Sequence, residues 1–165
     1  MRKLGLYCGS FNPFHIGHLS IAQKAQNLFD DVIIARGTNS DKTQVIPHNN
    51  DNDFIVANRV HPEFKTIEYF GFTTDLIKSF VKRGYESTNL FLIRGIRSSH
   101  DYDVEMNQIT AMKDMFEDLQ VVMIPCDKQY EHVSSSLIRS IWKFDRHAAD
   151  KYLVQNGKVE EETQK

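Results

Sequence analysis

Residues 3–18 read KLGLYCGSFNPFHIGH, and the fold turns on this stretch. KLGLYC (residues 3–8) is a short apolar run ending at Gly9, the pattern of a buried strand. From His18 to Phe29, residues Ile21, Ala22, Ala25, Leu28 and Phe29 recur at helical spacing. GSFNPFHIGH (residues 9–18) is therefore the turn between a strand and a helix. At such a turn the amides of Gly9, Ser10 and the first helical residues are free to cradle an anion such as phosphate.

The same alternation continues outward. DVIIA (31–35) reads as a second strand and residues 65–69 as a short third. Residues 74–82 follow as a helix with Leu76, Ile77, Phe80 and Val81 on one face. NLFLI (89–93) is a buried strand, and the spacing predicts a helix over 102–117 with Val104, Ile109, Met112 and Phe116 facing inward. QVVMI (120–124) is the last strand, and Ser134 caps a helix running through Trp142. Strands alternating with helices predict an α/β fold, a Rossmann-like doubly wound parallel sheet of five strands with helices on both faces. Such sheets bind ligands at the carboxyl ends of their strands, where the strand order reverses. TQVIPHNNDNDFIVANRVHPEF (43–64) breaks the rhythm and reads as a loop or lid with one short helix over 53–59. No repeat or linker divides the chain, so residues 1–165 form a single domain, with 158–165 a polar, frayed tail.

Composition narrows the function. The chain has 165 residues, 41% hydrophobic and 25% charged, with a net charge of −2. That balance lacks the basic excess of a nucleic-acid-binding surface. Cys8 and Cys126 lie in apolar runs, which suits two buried thiols in a reducing compartment better than a disulfide. The N-terminus is too short in its apolar part for a signal peptide, and no run approaches the ~20 residues of a membrane span. A cytoplasmic protein follows.

His15 and His18 could be metal ligands, structural residues or parts of a phosphate site. No carboxylate or cysteine cluster stands nearby to complete a zinc site, so no metal ligands are assigned. In the phosphate reading, Gly17 lets the backbone approach the anion, and imidazoles at the helix mouth donate hydrogen bonds to it. Two further clusters could serve such a site. RGIRSSHDYDVEMNQ (94–108) follows the NLFLI strand, so Arg94 and Arg97 emerge at a strand end. They are either a polyphosphate clamp or surface charges paired with Asp101 or Glu105. YEHVSSSLIRS (130–140) offers three serines at a helix start, for capping, for an anion, or for both.

These motifs carry a resemblance. GSFNPFHIGH resembles the signature of the nucleotidyltransferase superfamily of small adenylyltransferases and cytidylyltransferases. Arg-Gly-x-Arg at 94–97, with Asp101, Tyr102 and Glu105, is similar to the phosphopantetheine adenylyltransferases, as is Val133-Ser134-Ser135-Ser136-x-x-Arg139. Order and spacing match over roughly Leu4–Trp142. Asn12 stands where that family usually has Asp, the segment after Lys42 is Asn-rich, and the C-terminal region aligns only loosely.

The resemblance implies transfer of AMP from ATP to 4'-phosphopantetheine, with Mg2+ as cofactor, giving dephospho-coenzyme A and pyrophosphate. It implies that Gly9, Ser10, Phe11, His15 and His18 meet the nucleotide phosphates, with His18 stabilising the transition state. Lys42 would bridge acceptor and α-phosphate, and Arg94 would bind the acceptor phosphate. Arg97, Asp101, Glu105 and Ser134, Ser135 and Ser136 would hold ATP, with Tyr130 beside the adenine. A homohexamer is also implied. The alternatives are another phosphorylated acceptor, such as nicotinamide mononucleotide, or a nucleotide-binding relative without turnover.

Overall fold

The first strand, β1 (Leu4–Gly9), has no exposed residue and lies in the middle of the sheet. The computed structural model of the chain describes residues 2–38 and 62–154. Lys42, residues 43–61 with the helix expected over 53–59, and the expected tail at 158–165 lie outside the described residues. Beside β1 run β2 (Asp31–Thr38) and then β3 (Lys65–Phe70) on one side, and β4 (Leu90–Ile96) and then β5 (Gln120–Pro125) on the other. All four pairings are parallel, in the order β3-β2-β1-β4-β5. Leu6 sits between Ile33 and Leu92 in this register. The order reverses between β1 and β4, so their carboxyl ends frame the cleft expected of such a sheet.

Alternation along β1 divides the core. Leu4, Leu6 and Cys8 face a cluster completed by Leu76, Ile77 and Phe80 of helix α2 (Thr73–Lys82). Tyr7 faces the opposite cluster with Ile21, Ala22 and Ala25 of helix α1 (Ile16–Gln26). The alanines let α1 lie close on the strands, and each buried Leu or Ile contributes about 1.5–3 kcal/mol. Helix α3 (Ser99–Met115) is mostly exposed and buries only Ile109 fully. Val104 does not face inward as its spacing predicts but is 43% exposed, because the stripe that turns to the sheet runs through Glu105, paired with Arg94 of β4, then Ile109 and Met112, and Val104 lies beside it. Leu28 is also turned out, at 55% exposure: α1 ends at Gln26, and the turn that follows returns Phe29, not Leu28, to the core.

Helices α4 (Ser135–Trp142) and α5 (Arg146–Asp150) make a third cluster around Ile138, Trp142, Ala149 and Leu153. The chain after α5 then returns to the first turn. The amide of Ile16 donates to the Tyr152 carbonyl at 3.0 Å, and His15 pairs with Leu153 as an isolated bridge. One free amide of α1 is thereby satisfied by the opposite end of the chain. Among the described residues no helix is long and apolar enough to cross a membrane. Cys8 and Cys126 are free thiols, Cys8 buried and Cys126 only half-buried.

Candidate active site

The turn from β1 to α1 is built on an aromatic base. Phe11 has a positive φ of 45°, a conformation that costs a side-chain-bearing residue roughly 1–2 kcal/mol. Burial of its ring offsets this: Phe11 is 3% exposed, edge-on to Tyr7 at 4.9 Å and to Phe14 at 5.4 Å. Gly9 is what lets the ring fold back, since a Cβ there would meet it at 3.0 Å. His18 rests on this platform, 4.9 Å from the Phe11 centroid and 5.4 Å from that of Phe14.

His15 and His18 form a reciprocal cap. His15 is the N-cap of α1 and its Nδ1 accepts from the His18 amide at 3.3 Å, while His18 Nδ1 accepts from the His15 amide at 3.3 Å. Their rings stack with centroids 3.6 Å apart. With each Nδ1 accepting, the neutral rings carry their protons on Nε2 and can only donate there. Burial, assisted by the charge of Arg97, lowers the His15 pKa to about 4. Burial, then His15 and Arg97, holds His18 well below the usual imidazole value. Both rings are thus uncharged hydrogen-bond donors at neutral pH. Gly17 makes the stack possible, because a Cβ at that position would meet His15 Cε1 at 3.1 Å.

The start of α4 braces this turn. Ser134 caps α4 by accepting from the Leu137 amide at 3.1 Å. The Ser135 hydroxyl donates to the Pro13 carbonyl at 2.9 Å, and Arg139 Nη1 donates to the Asn12 carbonyl. Arg139 Nη2 donates to the Ser136 hydroxyl at 3.2 Å. Lys24 and Ser20 of α1 reach the other end of the same loop, on Asp127, at 2.7 and 2.6 Å.

The arginines at the end of β4 complete the cleft. Arg94 forms a two-pronged ion pair with Glu105 of α3 and donates to the Cys8 carbonyl at 3.3 Å. Burial disfavours its charge, but hydrogen bonds and charge from Glu105 outweigh this and raise its pKa. Arg97 pairs with Asp101 at 3.0 Å, and its Nη1 donates to the Val133 carbonyl at 3.2 Å, tying this cluster to the serine turn. Partial burial would push the Asp101 carboxyl up, but hydrogen bonds from the Arg97 side chain and amide hold it below its ordinary value. An open cleft between Arg97, Ser98, Asp101, Glu131 and His132 adjoins these groups. The N-termini of α1, α3 and α4 all begin at this edge, and their free amides favour negative charge.

The cytidylyltransferase-like family matches residues 6–141. Along 151 residues the chain is 33% identical to a phosphopantetheine adenylyltransferase of Cytophaga hutchinsonii, covering 88% of this chain and 93% of that one. A phosphopantetheine adenylyltransferase of Thermodesulfovibrio yellowstonii is 31% identical, covering 87% of this chain and 86% of the relative. The chain belongs to the cytidylyltransferase-like family, in its phosphopantetheine adenylyltransferase group. Solved structures share the fold. The nicotinic acid mononucleotide adenylyltransferase of Plasmodium falciparum complexed with NaAD has a TM-score of 0.57 at 17% identity, covering 92% of this chain and 90% of that chain. A putative nicotinate-nucleotide adenylyltransferase of Vibrio parahaemolyticus gives 0.54 at 14%, covering 94% and 88%.

Set against this family, the three sequence motifs meet at one edge of the sheet, joined by direct hydrogen bonds. Ser10 is exposed at the turn and Tyr130 is half-buried beside Gly17. Some side chains are placed otherwise than the sequence suggests. The Phe11 ring is in the core, so only its main chain faces the turn. Glu105 is committed to Arg94 and Asp101 to Arg97, the pairing that counted against a phosphate clamp. Only the Ser135 hydroxyl spends its hydrogen on a protein group, while Ser134 and Ser136 accept from Leu137 and Arg139, so the O–H groups of Ser134 and Ser136 and the amides at the start of α4 are what the serine turn offers an anion. Sequence reasoning placed Arg139 at the close of the serine motif but gave it no part at the site, and it missed Gln108, one helical turn beyond Glu105.

Proposed function

We infer that the chain transfers the adenylyl group of ATP to 4'-phosphopantetheine, giving dephospho-coenzyme A and pyrophosphate. The observation that carries this is the 33% identity to a phosphopantetheine adenylyltransferase along nearly the whole of both chains. In the reaction an oxygen of the acceptor phosphate attacks the α-phosphorus of ATP. A new P–O bond forms, the bond to the bridging β-phosphate oxygen breaks, and pyrophosphate leaves with the electron pair. The acceptor is already an anion, so no protein nucleophile is needed, and rate comes from alignment and charge stabilisation.

Each group has a part in this. The uncharged His18 donates from Nε2 to a phosphate oxygen as charge builds, and the Gly9, Ser10 and Phe11 main chain supports it. Arg94 receives the acceptor phosphate, and Lys42 bridges it to the α-phosphate. Arg97, Asp101, Tyr130 and the amides of the serine turn border the nucleotide. Among the described residues no group of three or more His, Cys, Asp or Glu side chains is placed to hold a metal ion. Mg2+ bound to ATP would take oxygen ligands from the nucleotide's own phosphates and would neutralise part of their charge. The family resemblance supports a homohexamer in the cytoplasm; light scattering that finds a monomer refutes the assembly.

The test offers the full chain ATP and Mg2+ with 4'-phosphopantetheine or nicotinamide mononucleotide in separate reactions and measures pyrophosphate. Release with 4'-phosphopantetheine is expected. Release with the mononucleotide alone moves the chain to the other acceptor, and release with neither leaves a nucleotide-binding protein without turnover.

A further inference from the structure

A guanidinium carries five N–H donors in a rigid plane, and the number left over decides how it can hold a ligand. Arg94 Nε donates to Glu105 Oε2 and its Nη2 to Glu105 Oε1 at 2.8 Å. Nη2 also donates to Gln108 Oε1 at 3.1 Å, and Nη1 donates to the Cys8 carbonyl at 3.3 Å. Four of the five donors are used, and among the described residues one Nη1 hydrogen is left for a ligand. Glu105 alone would leave Nη1 and Nη2 able to act together as an open fork on two phosphate oxygens. Gln108, three residues further along the same face of α3, closes one tine of that fork. Its amide oxygen does so without adding charge, whereas a second carboxylate would repel a phosphate.

We propose that Gln108 is a positioning residue that restricts Arg94 to a single outward N–H, so that the acceptor phosphate is held by one hydrogen bond and not gripped by two. This rests on the reading of Arg94 as the acceptor ligand given above. The consequence is an acceptor site tuned for release. The acceptor's phosphate stays in the product, so a two-pronged grip would hold the product as firmly as the substrate and slow its departure.

The experiment measures dissociation constants for 4'-phosphopantetheine and for ATP by calorimetry on the full chain, and steady-state rates alongside. Variants are Gln108→Met, Gln108→Glu and Arg94→Met. Gln108 is exposed, so its substitution leaves the melting temperature close to that of the parent. Gln108→Met frees the second tine and is expected to tighten acceptor binding about threefold to tenfold, without raising kcat and with ATP affinity within twofold. Gln108→Glu keeps the tine occupied, adds a negative charge and weakens acceptor binding below the parent. Arg94→Met weakens it further. If Gln108→Met weakens acceptor binding or leaves it unchanged while Arg94→Met weakens it, the role of Gln108 is overturned and that of Arg94 stands. If Arg94→Met has no effect on acceptor binding, the assignment of Arg94 falls and this inference falls with it.

Discussion

The hydroxyl of Ser135 donates to the carbonyl of Pro13 at 2.9 Å, joining residues 122 positions apart in the chain. With Arg139 on the Asn12 carbonyl, it makes the start of α4 a brace for the turn that carries the histidines. A hydrogen bond of this kind contributes about 0.5–1.5 kcal/mol net. Ser135→Ala should therefore lower the melting temperature by a few degrees, while a loosened turn lowers kcat/KM by about tenfold. Arg139→Ala should cost more in both. Equal rates in parent and Ser135→Ala would show that the turn holds its shape without the brace.

In the proposed reaction, His18→Ala removes a donor that would meet developing charge on the phosphate. Loss of one such donor typically lowers turnover by about 10²–10³. The expected result is that fall in kcat with ATP affinity within threefold, read by single-turnover kinetics and calorimetry. A loss confined to ATP affinity would make His18 a ground-state ligand instead.

Acid should loosen the molecule through the same pair of rings. The folded-state pKa of His15 is depressed to about 4 from an ordinary 6.5. Between these values the unfolded chain binds a proton that the folded chain does not, so the stability held above pH 6.5 is lost as pH falls towards 4. For His15 alone this amounts to roughly 3 kcal/mol. His15→Asn keeps a capping side chain but removes the titration. Denaturant unfolding at pH 7 and pH 5 should show a smaller pH effect in the variant than in the parent.

Gly17→Ala brings a methyl to 3.1 Å from His15 Cε1, and the imidazole must shift to admit it. Turnover should fall several-fold. In the His15→Ala background the same substitution meets no ring and should cost little, so a double-mutant cycle on kcat should show strong coupling. Additive effects would place the harm of the methyl elsewhere.

The strands and the turn between β1 and α1 were legible because short continuous apolar runs and the glycine-histidine spacing are local signals. Val104 was not, since the apolar pattern cannot show that the charged Glu105 beside it, and not Val104, is what turns to the sheet to meet Arg94. α5 was hidden by its length of five residues, too short to show a period. At the site, the motifs told which residue types gather there. They raised, but did not decide, the pairing of Glu105 and Asp101 with the arginines, and gave no sign that Ser135 would turn to Pro13. The Arg97–Asp101 pair is four residues apart and stood among the readings of the sequence, whereas the Arg94–Glu105 and Ser135–Pro13 contacts cross from one element to another, where spacing along the chain cannot choose between partners. The core position of the Phe11 ring follows from its positive φ, which a non-glycine residue does not advertise.

The reciprocal His15–His18 cap has a consequence for the empty cleft. Rings that burial holds neutral while the cleft is empty need no deprotonation before they face a polyanion. With each Nδ1 tied to an amide, the hydrogen of each ring is already fixed on Nε2, so the donors are set before any ligand arrives.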